Sequence, residues 1–208
     1  MQEFLSNLEK CFEQPLPSNR AHIEMLPKIK IPNPATNKTC KAAKSSVLIM
    51  FYPMNNEIYT IFIKRSIYDG VHSGQIAFPG GKTEAGDKSL AETAIREANE
   101  EIGIDSSNIF IKGKLSDVYI SPSNYIVTPF VGVYKGRPHF NPDSSEVNQL
   151  IKVRFSDIID KRNKGKAQVK AANGQLYEVP SFNFNNHVVW GATAMMLNEF
   201  IVLWNSSN

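Results

Sequence analysis

Six carboxylates crowd into residues 84–101: Glu84, Asp87, Glu92, Glu97, Glu100 and Glu101, against the two bases Lys88 and Arg96. The stretch carries −4, so the rest of this 208-residue chain, whose formal charge is +3, carries +7. On a helix turning by about 100° per residue, Glu97, Glu100 and Glu101 share an arc about 100° wide, away from a stripe of Ala91, Ile95 and Ala98. Glu97 and Glu101 are then like charges at i, i+4, which costs about a few tenths of a kcal/mol unless something neutralises them. A hard divalent cation such as Mg²⁺ does so, because it takes oxygen ligands and keeps waters that substrate phosphates can replace. The same residues also fit a solvated face on which Arg96 pairs with Glu92 or Glu100. The helix alone leaves both readings open.

A second chemically able set lies upstream, in Lys64-Arg65-Ser66, His72-Ser73-Gly74-Gln75 and Phe78-Pro79-Gly80-Gly81. Arg65 has the fork of donors that grips a phosphate, and His72, Ser73 and Gln75 can hydrogen-bond phosphate or amide groups. Arg65 also fits a surface cation at a strand end, and His72 an exposed loop residue. Phe78 and Pro79 shape the turn into the glycine pair.

The elements that must position these residues follow from pattern. Ser89 followed by Glu92 is a capping box, and residues 90–102 continue as a helix that stops at Gly103. Residues 45–53 and 58–66 read as two strands, rich in β-branched and aromatic side chains, joined as a hairpin through Met54, Asn55 and Asn56. A short strand is expected near 75–78. Further strands are expected at 109–115, 125–134 and 149–155, with a hairpin turn at Asn173-Gly174. Residues 1–14 have the spacing of a short amphipathic helix, and five prolines between 15 and 34 predict an irregular lead-in from about 14 to 41. Residues 191–203 read as a helix buried on much of its circumference, with Trp190 before it as a core residue. The order of elements predicts an α+β fold, mixed sheets sandwiched between helices, in a domain spanning 42–208 after the lead-in of 1–41.

Composition narrows the class. Hydrophobic content of 42% and charged content of 21% fit an ordinary soluble globular protein and exclude disorder throughout. The most apolar stretch, 195–204, is interrupted by Asn198 and Glu199 and falls short of the roughly 20 residues a membrane span needs. No secretory signal is visible at the start, and the end is not a peroxisomal tripeptide, so the expected compartment is the cytoplasm, in a prokaryotic setting. Cys11 and Cys40 are expected to be free thiols. The basic residues Lys161, Arg162, Lys164 and Lys166 read as a solvated loop, so neither nucleic acid nor membrane is an expected partner.

The run FPGGKTEAGDKSLAETAIREANEEIGI closely resembles the Nudix box, the signature of hydrolases that cleave a nucleoside diphosphate linked to another group. Gly81, Arg96, Glu97, Ala98, Glu100, Glu101, Gly103 and Ile104 fill its places. Asp87 stands where Glu is usual, and eight residues rather than seven separate it from Arg96. Both departures, with the Arg65-Ser66, Gly74-Gln75 and Phe78-Pro79-Gly80-Gly81 segments, are similar to the coenzyme A pyrophosphatase subfamily. An Arg often found four residues after the Ser of the Arg-Ser pair is Gly70 here. The resemblance implies Mg²⁺ or Mn²⁺ held by Glu97 and Glu101, with Glu100 as third ligand or water-activating base and the Gly81 carbonyl completing the site. It implies that Arg96 orients the carboxylates, that Asp87 fixes the loop, and that Arg65, Ser66, His72, Ser73 and Gln75 meet substrate. Glu146 is an open candidate for the base. The implied substrate is coenzyme A or a derivative, with ADP-ribose, another nucleoside diphosphate derivative or a non-catalytic binding role as alternatives. A homodimer is compatible with the N-terminal amphipathic segment, though no residue pattern demands one.

Overall fold

A computed structural model describes residues 1–28, 42–67, 72–170 and 174–207. Cys40, Gly70 and Asn173 lie outside them, as does much of the expected irregular lead-in.

The architecture grows from one strand. β1 (Ala43–Met54) alternates its side chains between two cores: Val47, Ile49 and Phe51 enter one, and Leu48, Met50 and Tyr52 the other. One edge of β1 pairs antiparallel with β2 (Glu57–Arg65) through Phe51–Met54, and with β4 (Gly80–Lys82) through Ser45–Val47. On its other side it runs parallel to β7 (Tyr125–Tyr134), from Ala43 to Phe51. β3 (Ile76–Ala77) and β8 (Val147–Arg154) extend the sheet from β2; β5 (Ile109–Lys114) and β6 (Val118–Ile120) pair with β7. The expected β1–β2 hairpin is present, turning at Asn55 and Asn56 with φ of 52° and 63°, a left-handed conformation that asparagine tolerates well.

Against the Leu48/Met50/Tyr52 face packs α3 (Leu90–Ile102), with Ala94, Ala98 and Ile102 buried. The opposite face receives α1 (Gln2–Phe12), α5 (Gly191–Ser207), and a second sheet of β9 (Lys164–Lys170), β10 (Leu176–Phe184) and β11 (His187–Trp190). The result is the expected α+β arrangement of mixed sheets between helices. Phe4 on α1 stacks on Trp204 of α5 at 5.2 Å and meets Phe51 of β1 edge-on at the same distance. The apolar face of α1, which sequence left available for a homodimer, is therefore occupied by its own chain. Trp190 is half-buried rather than fully enclosed.

Two short helices were not legible from sequence: α2 (Asn19–Ile23) inside the lead-in and α4 (Phe155–Ile159) after β8. α2 is held by tertiary contacts. Its buried His22 places Nε2 2.9 Å from Glu199 Oε2, and Asn198 of α5 donates to the Ala21 carbonyl at 2.7 Å. Cys11 is a free, buried thiol, which burial pushes upward in pKa. No helix among the described residues is long and apolar enough to cross a membrane.

Candidate active site

The glycine pair sits where the edge of β1 passes from β2 to β4. Leu48 donates to the Pro79 carbonyl at 2.8 Å, and buried Phe78 stacks on Phe62 at 4.6 Å, pinning the approach to the turn from below. At Gly80, φ is 151° and a Cβ would lie 2.3 Å from the Ser46 carbonyl oxygen, so only glycine fits. At Gly81 the obstruction is different: a Cβ would lie 2.4 Å from the Glu97 carboxyl carbon. The second glycine thus makes room for a carboxylate.

α3 delivers that carboxylate. Its start is fixed by Ser89, whose Oγ accepts from the Glu92 N–H at 3.2 Å, and by Ser46 of β1, which donates to the Leu90 carbonyl at 2.7 Å. Glu92 closes the cap on the Lys88 N–H at 2.8 Å, and Gly103 ends the helix with φ of 65°.

The three glutamates do not share one exposed face, as the helical arc suggested. Side-chain exposure is 1% at Glu101, 13% at Glu97 and 55% at Glu100. The buried stripe is Ala94, Ala98, Glu101 and Ile102, while Ala91 and Ile95 are only half-buried. The helix is rotated because β1 and β4 take its Ala94/Ala98 side, which carries Glu101 inward. There Glu101 Oε2 accepts the Gly80 N–H at 2.7 Å, and Oε1 lies 3.4 Å from Arg65 Nη1. Burial pushes the Glu101 carboxyl up to about 7, with Arg65 and the Gly80 N–H opposing and Glu97 and Glu146 adding to the rise. Glu97 is also raised, chiefly by burial, against the pull of Arg96.

Arg96 is a hub. It donates to Asp87 Oδ1 at 2.9 Å and Oδ2 at 3.1 Å, to the Lys82 carbonyl at 2.9 Å and to Glu100 at 2.8 Å, and lies 3.1 Å from Glu97. Asp87 also accepts from the Glu84 N–H and Thr93 Oγ1, and these bonds, Arg96 foremost, hold its carboxyl well below the usual range. Arg96 and Asp87 thus clamp the loop to the helix.

The upstream segment folds onto this site. Arg65 Nη2 donates to the Gly80 carbonyl at 3.1 Å, the Arg65 N–H donates to the Gln75 carbonyl at 3.0 Å, and the Ser66 N–H donates to the Glu146 carbonyl at 2.9 Å. Glu146 is near enough to raise both Glu97 and Glu101 electrostatically. His72 Nδ1 lies 3.1 Å from Gln75 Oε1, and Ser73 is half-exposed beside them. Sequence reasoning missed the Gly80–Glu101–Arg65 contacts and the Asp143 N–H that donates to the Glu101 carbonyl at 3.1 Å. A signal existed for the burial: Glu101 follows Ala98 by three positions and Ala94 by seven, the spacing of one helix face.

Among the described residues no three His, Cys, Asp or Glu side chains form a ready-made metal cage. The donor chemistry nonetheless fits a hard cation. Glu97 adds to the proton affinity of Glu101 beside a glycine turn, and Mg²⁺ is ordinarily held by one or two carboxylates with water and substrate phosphate.

Residues 43–172, more than half of the chain, match the family described as NUDIX domain. "Uncharacterized Nudix hydrolase NudL" of Photorhabdus laumondii is 31% identical over 139 residues, covering 67% of this chain and 73% of that protein. "Nudix hydrolase 3" of Caenorhabditis elegans is 29% identical over 199 residues, covering 88% of this chain and 82% of the relative. Among solved structures, the Nudix domain of Shewanella oneidensis NrtR complexed with ADP ribose has a TM-score of 0.47 and 15% identity, covering 60% of this chain and 81% of that one. By the match over residues 43–172, the chain belongs to the Nudix family.

Proposed function

We propose that the chain is a metal-dependent pyrophosphatase that cleaves the diphosphate of coenzyme A, its oxidised form or acyl derivatives, giving 3′,5′-ADP and (acyl-)4′-phosphopantetheine in the cytoplasm. The observation that carries this reading is the contact between the upstream segment and the box, in which Arg65 reaches both the Gly80 carbonyl and Glu101. The segment with the coenzyme A subfamily resemblance is thereby part of the same site as the carboxylates.

Nudix hydrolases generally use divalent metal ions and act on small-molecule nucleoside diphosphates. Here Glu97 and Glu101, with the Gly81 carbonyl, would hold Mg²⁺ or Mn²⁺. Such an ion, when bound, offsets charge on the phosphate oxygens and lowers the pKa of the attacking water. The chain's own groups do the rest. Arg65 commits one nitrogen to Gly80 and another toward Glu101, and has further N–H donors for a phosphate oxygen. Arg96 orients Glu97 and Glu100, while Ser66, His72, Ser73 and Gln75 bind the remote part of the substrate. The proton of the attacking water goes to Glu100 or Glu146. Glu100 is tied to Arg96 at 2.8 Å, whereas Glu146 lies close to both buried carboxylates, which favours Glu146.

The test is product analysis after incubation with coenzyme A and each divalent ion, beside ADP-ribose and dinucleotides. Release of 3′,5′-ADP and 4′-phosphopantetheine is expected, with loss of at least about a hundredfold in Glu101→Gln. Cleavage of ADP-ribose with coenzyme A left intact would overturn the substrate. Full metal-dependent activity in Glu101→Gln would overturn the assignment of the carboxylates.

A further inference from the structure

We infer that a concavity on the α3 side of the central sheet, lined by Tyr52, Arg137, His139, Phe140 and Lys152, is a second binding site, specific for a phosphate group. Three parts of the chain build it: the end of β1, the loop after β7, and β8. Its volume is about 390 Å³ and no acidic side chain lines it. Two permanent cations therefore face one open space, and neither Arg137 nor Lys152 has an ion-pair partner among the described residues. Lys152 Nζ lies 5.1 Å over the Phe140 ring, which holds the ammonium at the mouth.

Tyr52 supplies an independent observation. It is fully buried, its ring packed on Phe140 at 5.4 Å and on Tyr59 at 6.2 Å. Yet its hydroxyl has no hydrogen-bond partner among the described residues. Buried hydroxyls are almost always paired, because an unpaired one forfeits its bonds to water without replacement. Burial also pushes this hydroxyl well above its ordinary pKa, so it remains a donor at neutral pH. A donor without an acceptor, in the wall of a basic concavity, is completed by an anionic oxygen. Phosphate matches best, since it accepts several charge-assisted hydrogen bonds at once.

The site is distinct from the carboxylate centre. Val147 stands opposite Arg65, and Lys152 opposite Ile61, so the two sites are four residues or about 13 Å apart along β2. They are nonetheless joined through the loop after β7, in which Asn141 donates to the Ile102 carbonyl and Asp143 to that of Glu101.

The experiment titrates inorganic phosphate and adenosine 5′-monophosphate into the full chain without divalent ions, following amide chemical shifts and calorimetric affinity. At least one probe is expected to bind and to shift residues 137–140 and 152; the tighter of the two tells free phosphate from a phosphomonoester. Arg137→Gln/Lys152→Gln lowers that affinity about tenfold or more, whereas Arg65→Gln leaves it within about twofold. Tyr52→Phe weakens binding about three- to tenfold while raising the Tm of the ligand-free protein, which verifies that it folds. The site does not exist if neither probe binds, if affinity survives in the double variant, if Arg65→Gln abolishes it, or if Tyr52→Phe leaves it unchanged.

Discussion

Burial pushes the Glu101 carboxyl up to about 7, so between about pH 5 and 7 the folded protein holds a proton that the unfolded chain has already released. Without divalent ions, stability is therefore greatest below this window and falls as pH rises through it, by a limit on the order of 3 kcal/mol. A saturating divalent ion removes the loss. Thermal melts of chelated protein from pH 5 to 8 should show a falling Tm that Glu101→Gln flattens; a Tm independent of pH in the chelated wild type would refute the buried charge. Much at this scale was legible in the sequence. Gly81, Asp87, Arg96, Glu97 and Glu101 stand at positions with recognisable spacing because turn, cap and helix are local structures. What stayed hidden was which carboxylate is buried. Helix rotation is decided by what packs against it: of the expected stripe Ala98 is buried, whereas Ala91 and Ile95 are only half-buried and Ala94 and Glu101 take their place under β1 and β4.

Among the elements, α3 and the β1–β2 hairpin were read with nearly correct ends because cap and turn residues mark them. β4 and β6, three residues each, are too short to show periodicity and exist through pairing with β1 and β7. α2 depends on distant partners. Glu199 was visible only as an interruption in an apolar helix. In the fold it is wholly buried, accepts from the Ser18 N–H at 3.0 Å and Ser116 Oγ at 2.6 Å, and lies against His22. Burial raises its carboxyl, but His22, Ser116 and Ser18 outweigh burial and bring it below its ordinary value. Glu199→Ala leaves the Ser18 N–H, the Ser116 N–H and Oγ, and His22 Nε2 without this acceptor and should cost about 3–5 kcal/mol in denaturant unfolding, with α2 amides losing protection first. A cost below about 1 kcal/mol would mean that α2 is held by apolar contacts instead.

At the scale of the molecule, the near-neutral total conceals an acidic stretch set in a chain otherwise carrying +7. Of the groups outside that stretch Arg65 offsets one charge, so most of the positive charge lies elsewhere and favours approach of anionic substrates. The basic concavity could not be read from sequence, because Tyr52, Arg137 and Lys152 are far apart in the chain and share no motif. β1 pairs with β2, β4 and β7 at once, and its parallel register with β7 joins Ala43 to Tyr125. The glycine turn is attached to that same strand through the Leu48 N–H and to α3 through Glu101, which accepts the Gly80 N–H. It is therefore expected to open together with β1 rather than as an independently melting loop. In native-state hydrogen exchange the Gly80 amide should open only with the global free energy, in step with Leu48, and exchange well ahead of Leu48 would contradict this. An enzyme so built loses its turn geometry only when it loses its fold, which leaves partial unfolding no route to a misaligned but still folded active site.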